Sequence, residues 1–485
     1  MNDRFDELAM SMGQSVRLTF LCLAVTAQIA VSARANDFRP GRLIDLSDPD
    51  AFAACGSNGA EKETSVAANP TNPKNLVATW IAGLFKGIGG AVSLDGGKRW
   101  QQVLIPGLSI CSGGTQDFDN NADPWLSFAP NGDLYHLCLG GNSSGRNVVL
   151  VSKSADGGLH WAAPAVLWDT TDKRFYPDYT RITADPRDPR YVYATWDNND
   201  NGNRGQGLLA RTTDGGLTWE PARIIYDPGN ADGGTLGHTI NVLPDGTLVD
   251  IFTEFKFSDD GTHKGALLSV IRSTDKGQNW SQPIRAAAVP VFSVIDPETG
   301  VTVVNSSSCC PNPANTTDPN NGNLYVVWED TRFGNGQYSS IAFAMSSDGG
   351  FTWSDPIQVN KTPANIPLAN RQAFIPGIAV ASDGTIGVSY YDFRFNDASV
   401  GMPTDYWLVH CHPSVTTPAT NPASWGNEVR LTDTSFDIEK APTPGGAYFI
   451  GDYEGLATVG TDFLASWSQP HDTDLDSIFF RRVGP

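Results

Sequence analysis

The sequence predicts an all-β fold of the β-propeller type, and three observations favour it. A short turn motif occurs five times along the chain, and each copy lies within a repeating unit of strands. The composition includes 49 glycines, 32 prolines and 13 tryptophans with only 18% charged residues. Such a composition is typical of many turns and aromatic-rich strands rather than long helices. Repeated units of this kind indicate a propeller or an array.

The turn motif reads Ser/Thr-x-Asp-x-Gly-x-x-Trp. Its Asp side chain accepts hydrogen bonds from turn amides, its Gly adopts a positive φ, and its Trp packs on the neighbouring strand, so the motif predicts a tight hairpin. The five copies are Ser93–Trp100, Ser154–Trp161, Thr212–Trp219, Ser273–Trp280 and Ser346–Trp353. We expect their aspartates to stabilise turns and to take no part in catalysis. These aspartates are Asp95, Asp156, Asp214, Asp275 and Asp348.

Each unit contains one strand rich in β-branched and aromatic residues, and seven such strands occur. They are Asn75–Trp80, Leu134–Cys138, Tyr191–Trp196, Leu248–Thr253, Leu324–Trp328, Ile386–Tyr391 and Phe463–Trp467. Four antiparallel strands per unit form a propeller blade, so the sequence predicts seven blades. The sixth unit keeps only Trp425 of the turn motif, and the seventh ends in the strand Ser477–Val483.

The seventh unit has three strands, and its missing outer strand has a candidate at the other end of the chain. Gly41–Leu46 resembles Glu428–Asp433, the predicted outer strand of the sixth unit. We therefore expect an N-terminal strand to complete the last blade, which removes an exposed sheet edge. Residues 36–485 then form a single domain.

Residues 1–35 predict a signal peptide. Arg17 precedes the apolar run Leu18–Val31, and Ala33-Arg34-Ala35 forms a cleavage site before Asn36. Acidic residues near the first methionine indicate that translation starts at Met10 or Met12. No later stretch is long and apolar enough to span a membrane. The sequence thus predicts a secreted or periplasmic protein.

The chain carries a formal net charge of −20, which disfavours nucleic acid as a partner, and we expect a monomer. Six cysteines follow the predicted signal peptide, and an even number in an exported protein permits disulfides. Cys55 and Cys111 lie in the predicted loops that lead into neighbouring blades, which makes a disulfide between them geometrically plausible. For the adjacent Cys309 and Cys310 we retain three alternatives: a vicinal disulfide, a metal or redox site, or two buried thiols.

The five turns and the Trp-ended strands resemble the BNR or Asp-box superfamily, whose best-known members are sialidases. The resemblance covers nearly the whole chain after residue 35. For the sialidase type it implies three arginines that hold a substrate carboxylate, a Tyr nucleophile activated by a Glu, and an Asp that acts as acid and base. The Phe/Tyr-Arg-Ile-Pro motif of sialidases is absent after Asn36, where Phe38-Arg39-Pro40 is the nearest match.

We expect the site at the mouth of the central channel, where the loops leading into the inner strands meet the loops after the second strands. The expected carboxylate clamp is Arg181, Arg332 and Arg394. The expected nucleophile is Tyr391 or Tyr453, paired with Glu254 or Glu329. Asp452 or Asp178 is the expected acid. The alternative for the arginines is that they form ion pairs at the strand ends.

Together these features predict an exported, sialidase-like glycoside hydrolase that acts on an acidic or complex glycan. Two alternatives remain: a non-catalytic propeller that binds glycan or protein, and a polysaccharide lyase in which His238 and Tyr179 act on a uronate. No cofactor is required. The oxygen-rich segments Asp117–Asp123 and Asp197–Gly202 make Ca²⁺ a candidate ligand. However, Leu208 replaces the bidentate Glu of a calcium loop, so we expect solvated loops and assign no metal ligands.

Overall fold

The structure is a computed structural model. It describes residues 38–47, 51–56, 59–114, 117–200, 205–229, 233–257, 263–290, 293–303, 312–397 and 399–485. The predicted signal peptide and the Cys309-Cys310 pair lie outside these residues.

Seven antiparallel sheets of four or five strands make up the described chain, and they form the blades of a seven-bladed β-propeller. The first three blades contain β3 (Lys62–Ala68), β4 (Leu76–Ala82), β5 (Gly87–Ser93), β6 (Gln101–Leu104), β7 (Asn120–Phe128), β8 (Leu134–Gly141), β9 (Asn147–Ser154), β10 (Ala165–Thr170), β11 (Phe175–Ala184), β12 (Val192–Asp200), β13 (Gly205–Thr212) and β14 (Arg223–Tyr226). Blades 4 to 6 contain β15 (Gly233–Val242), β16 (Leu248–Phe257), β17 (His263–Ser273), β18 (Ile284–Val289), β19 (Ala314–Thr317), β20 (Leu324–Asp330), β21 (Ser340–Ser346), β22 (Ile357–Gln358), β23 (Ala373–Val380), β24 (Ile386–Asp392), β25 (Pro403–Cys411), β26 (Trp425–Arg430) and β27 (Phe436–Asp437). Blade 7 contains β28 (Gly455–Val459), β29 (Asp462–His471), β30 (Asp474–Gly484), β1 (Arg39–Pro40) and β2 (Ile44–Asp45).

Only short 3₁₀ helices accompany these strands in the described residues. They are Ala53–Cys55, Ile110–Ser112, Arg332–Gly334, Leu368–Arg371, Pro422–Ser424, Ile438–Lys440 and Pro444–Gly446. Among the residues that were described, no helix combines the length and the apolar character needed to cross a membrane.

The N-terminal segment completes blade 7 and so confirms the predicted closure. Strands β1 and β2 both pair antiparallel with β30, with Arg39 opposite Gly484 and Ile44 opposite Phe480. Beside them Phe38 is buried, and its ring lies 4.1 Å from that of His410. The first and last segments of the chain therefore belong to one sheet, and the ring has no open edge there.

The core lies between neighbouring blades. The tryptophans near the ends of four second strands are almost fully buried there: Trp80, Trp196, Trp328 and Trp467. Trp196 of blade 3, for example, belongs to one cluster with Val149 of blade 2. Because each large ring packs against the next sheet, these positions stabilise the contacts between blades.

The five predicted hairpins all form between the third and fourth strands of their blades. In the copy at Ser154, the Gly158 amide donates to the serine hydroxyl and the His160 amide donates to Asp156, each at 2.9 Å. In the third copy, Gly216 has φ 85° and a Cβ there would lie 2.8 Å from the Tyr135 ring, so only glycine fits. These turns lie at the ends of the strands away from the loops that lead into the inner strands.

A disulfide joins Cys55, in the segment before blade 1, to Cys111, in the loop between blades 1 and 2. The two Cα atoms are 6.0 Å apart. The sequence made this pairing plausible without selecting it, and the structure contains it. Cys138 and Cys411 are buried free thiols.

Candidate functional site

Most of the inner strands begin with a bulge that projects side chains into the central channel. The register with the second strand shifts between Lys62 and Ser65 in blade 1, and between Ala122 and Trp125 in blade 2. Inside these bulges Glu63 and Asp123 adopt positive φ values of 54° and 51°. Non-glycine residues rarely adopt this conformation, and such strain concentrates at functional sites. Blade 3 repeats the feature with Tyr179 at 52°.

An arginine enclosed by aromatic rings lies at the centre of this region. The Cζ atom of Arg181 is 3.8 Å from the ring centre of Trp125, 3.9 Å from that of Tyr179 and 4.1 Å from that of Tyr453. Its Nη1 donates to the Thr180 carbonyl at 2.9 Å, and only 3% of the residue is exposed. These cation–π contacts connect blades 2, 3 and 7 across the channel.

Two buried carboxyl groups lie next to this arginine. Glu63 and Asp123 hydrogen-bond to each other, and Asp123 also accepts the Tyr179 amide at 2.6 Å. Burial and the negative charges of Asp123 and Asp452 raise the pKa of Glu63 well above its usual range. Like charges this close cannot both ionise easily, which opposes the ionisation of Glu63. The segment containing Asp452 approaches closely because Gly451, at φ 117°, carries no Cβ: one there would lie 2.9 Å from the Glu63 amide.

Three further carboxyl groups are more accessible: Asp178, Glu329 and Asp452 are half-buried. Burial and the charge of Asp452 raise the pKa of Glu329 to about 7, although the Ile375 amide donates to this carboxyl at 2.9 Å. Burial and the charges of Asp123, Asp197 and Asp452 raise the pKa of Asp178 well above its usual range. Asp452 therefore acts electrostatically on both neighbours.

A cavity of about 280 Å³ opens beside these groups, and of the five carboxyl groups described above, Glu329 and Asp452 are among its described lining residues. Its lining includes Trp125, Arg181, Glu329, Asp452 and Tyr453. Aromatic rings supply flat apolar surface and carboxyl groups supply acid and base functions, which is the usual make-up of a small-ligand site.

Two of the three arginines predicted to form the carboxylate clamp, Arg332 and Arg394, have contact residues different from those of Arg181. Arg332 bonds to Asp330 at 2.7 Å and donates to the Ala288 carbonyl in the outer strand of blade 4. Arg394 bonds to Asp392 at 2.6 Å and to Glu428 at 2.9 Å, and its guanidinium lies 3.7 Å from the Trp407 ring. Neither shares a contact residue with Arg181, so the structure does not bring the three together. The strand-end ion pairs considered as the alternative are present at both positions.

The structure places Tyr391 inside the core, where its ring contacts those of Phe374, Tyr406 and Phe436. Its hydroxyl contacts Glu454 at 2.6 Å, so its carboxyl partner is neither Glu254 nor Glu329. Burial raises the pKa of Glu454 to about 8. Glu454 also lines the cavity, whereas Tyr391 has no exposed surface.

Glu254 lies in a separate, open cavity on blade 4 that Arg332 also lines. It accepts a hydrogen bond from the Ser269 hydroxyl at 3.2 Å. Of the five residues expected to carry the chemistry, Glu329 and Asp452 line the channel cavity, whereas Asp178 is not among its described lining residues. Tyr391 and Glu254 lie elsewhere.

His238 is fully buried between blades 3 and 4. Its Nδ1 lies 2.6 Å from Asp250 and its Nε2 lies 3.7 Å from Asp197. The charges of the two carboxylates raise the pKa of His238 against the opposing effect of burial. This arrangement holds a buried imidazole between two carboxyl groups, at a position closed to ligands in the structure.

Trp125 and Glu454 are the cavity residues that sequence reasoning missed. Trp125 follows the bulge at Asp123 and carries no motif, and Glu454 lies next to the predicted Asp452-Tyr453 pair. In the described ranges, no group of three or more His, Cys, Asp or Glu side chains is arranged to hold a metal ion. Asp117 instead pairs with Arg146 at 3.3 Å, and Asp197 lies in the His238 cluster.

No family model matches the chain, and no curated protein matches it. Among solved structures, the chain is similar to a protein of unknown function from Dyadobacter fermentans DSM 18053, with 14% identity, coverage of 92% of this chain and 99% of that one, and a TM-score of 0.48. An alpha-L-arabinanase from Penicillium chrysogenum shows 14% identity, coverage of 73% and 94%, and a TM-score of 0.48. A Hadza microbial sialidase shows 15% identity, coverage of 84% and 73%, and a TM-score of 0.47. Identities this low and TM-scores below 0.5 do not indicate a shared activity.

Proposed function

We propose that the chain is an exported glycoside hydrolase that acts on a glycan at the mouth of the propeller channel. The observation that carries this proposal is the presence of Glu329 and Asp452 in one cavity lining, where burial and the charge of Asp452 raise the pKa of Glu329. Glycoside hydrolysis needs one protonated and one ionised carboxyl group on either side of the glycosidic bond.

The environments of the carboxyl groups suggest their roles. Glu329, with a pKa of about 7, serves as the general acid that protonates the leaving oxygen. Asp452 serves as the ionised partner and stabilises the positive charge that develops at the anomeric carbon. Asp178, whose pKa is raised by burial and by the charge of Asp123, is not among the cavity-lining residues, so we assign it no contact with the substrate.

The aromatic rings complete the proposed site. Trp125 and Tyr453 lie edge to face, with ring centres 5.4 Å apart, and both line the cavity. The apolar faces of a sugar ring pack well on such surfaces, while its hydroxyls reach the carboxyl groups. Arg181 fixes the rings, because its guanidinium contacts both of them.

The sialidase type is the finer form of this proposal that the sequence resemblance implies. It requires three arginines around one ligand carboxylate, and in the structure Arg332 and Arg394 have their own acidic partners. We therefore propose the hydrolase class and treat the sialoside as one substrate to be tested.

The test is hydrolysis of a panel of aryl glycosides by the chain beginning at Asn36. The panel includes a sialoside, a glucuronide, a glucoside, a galactoside and an arabinofuranoside. For the substrate that is cleaved, we expect Asp452→Asn to lower kcat by at least about 100-fold, in the range that single charged groups contribute to catalysis. The melting temperature should remain within a few degrees of the parent.

Asp355→Asn is the matched control, because it makes the same chemical change at an exposed residue next to a hairpin turn. It should leave kcat unchanged. Turnover that survives Asp452→Asn would exclude this site. Glycan binding without any turnover would instead indicate a binding propeller and would exclude the hydrolase.

A further inference from the structure

The channel cavity carries an excess of negative groups. Glu329, Asp452 and Glu454 line it, and Glu63, Asp123 and Asp178 lie close enough to Asp452 or to one another for their charges to interact. Glu63 is 98% buried, and its Oε2 atom has no hydrogen-bond partner among the described residues. The described lining therefore contains three carboxyl groups and one cation, Arg181.

Arg181 is not placed to bind a ligand carboxylate directly. Three aromatic rings surround its guanidinium at 3.8–4.1 Å, its Nη1 is bonded to the Thr180 carbonyl, and 3% of the residue is exposed. A bidentate contact with a ligand carboxylate needs two free N–H groups in one accessible plane. The rings would have to move apart before Arg181 could make such a contact.

Among the described residues that line the cavity, no other cation is placed to bind a ligand carboxylate in place of Arg181. Within the part of the chain that the structure describes, Arg181 is the only lysine or arginine in the cavity lining. Lys62 is next to Glu63 in the sequence, but its side chain is fully buried, and burial lowers its pKa. A sialic acid or uronic acid entering the cavity would therefore place its carboxylate beside Asp452 and Glu329 without a neutralising partner, which is unfavourable at short range.

From these contacts we infer that the site takes an uncharged glycan and rejects sialosides and uronides. The inference rests on the proposed function, whose substrate it specifies. The cavity carboxyl groups, which offer no partner to an anionic sugar, can stabilise the positive charge of a glycosyl transition state, so one arrangement accounts for both the activity and its selectivity.

The experiment compares kcat/KM for pairs of aryl glycosides that differ mainly in charge, such as a glucoside with a glucuronide and a galactoside with a galacturonide. The sialoside and the arabinofuranoside are measured beside them. We expect turnover to be confined to uncharged members, with any anionic member at least about 100-fold lower. The ratio of anionic to uncharged turnover should rise with added salt, because salt screens the repulsion. A sialoside or uronide as the best substrate would overturn the inference and leave the hydrolase proposal intact.

Binding to an array of neutral and acidic glycans, measured in parallel with the same chain, separates the two proposals. Binding of neutral glycans with no turnover of any substrate would overturn the hydrolase proposal and support the inference. A bound set that contains acidic glycans, or that lacks neutral ones, would overturn the inference.

Discussion

Carboxyl groups of the same chemical type have different properties in this channel because their neighbours differ. Glu329 has a pKa raised to about 7 by burial and by Asp452, whereas Asp275 in an exposed hairpin turn has a pKa lowered to about 2 by hydrogen bonds from Asn279. From their positions in the chain, the turn aspartates were predicted to lie outside the site, whereas Glu329 was predicted to belong to it. Sequence reasoning could not assign a pKa, because the shift depends on groups that are distant in sequence.

The pH dependence of hydrolysis tests the role of Glu329. As general acid it must be protonated, and the protonated form is lost as the pH rises through about 7. We therefore expect kcat/KM to fall above about pH 7, and Glu329→Gln to lower activity and remove that descending limb. The measurement is the pH–rate profile of both proteins from pH 5 to 9. A limb that persists in Glu329→Gln would assign the titration to another group.

At the scale of elements, the hairpin turn is the unit that the sequence specifies most completely. Each copy contains its own donors and acceptors within a few residues, so its geometry depends little on the rest of the chain. The bulges of the inner strands are the opposite case. Glu63, Asp123 and Tyr179 occupy equivalent bulges although they are chemically different, so no shared residue pattern identifies these bulges in the sequence.

The turn at Ser273 offers a test of how much one copy contributes to stability. Its hydroxyl bonds to Asp275 at 2.8 Å and accepts the Gly277 amide at 2.8 Å. Ser273→Ala should lower the free energy of unfolding by about 1–3 kcal/mol, because it leaves a buried amide without its partner. Chemical denaturation followed by tryptophan fluorescence measures the change. Ser399→Ala, at an exposed position, should have no measurable effect.

The disulfide between Cys55 and Cys111 tests the contribution of a covalent link before blade 1. It closes a loop with a sequence separation of 56. Cys55→Ser with Cys111→Ser should lower the free energy of unfolding by about 2–4 kcal/mol, mainly because the unfolded chain regains freedom. The melting temperature of the parent should fall with reductant towards that of the variant. A parent that is insensitive to reductant would contradict the bond.

The whole molecule depends on the closure of blade 7, which joins the two ends of the described chain. Removing residues 36–47 would delete β1 and β2 and expose the surfaces that Phe38 and Leu46 cover, which are 7% and 2% exposed. We expect this truncation to lower the melting temperature by at least about 5 °C, since burying each such side chain contributes about 1.5–3 kcal/mol. Removing only residues 1–35 is the control. Equal melting temperatures for the two would mean that the closing strands add little stability.

The sequence alone determined the blade count, the turn positions and the closing segment, because each depends on local hydrogen bonding or on the alternation of apolar residues. It made the Cys55–Cys111 disulfide plausible through the adjacency of the blades, and the structure selected that pairing. It also predicted Asp178, Glu329 and Asp452 at the channel mouth, and of these Glu329 and Asp452 line the cavity. Only the tertiary structure decided that Arg332 and Arg394 pair with their own acidic neighbours, that Tyr391 is buried against Glu454, and that three rings enclose Arg181. These outcomes depend on which side chains from different blades meet. The repeated motif is similar in every blade, so it carries no information about those contacts.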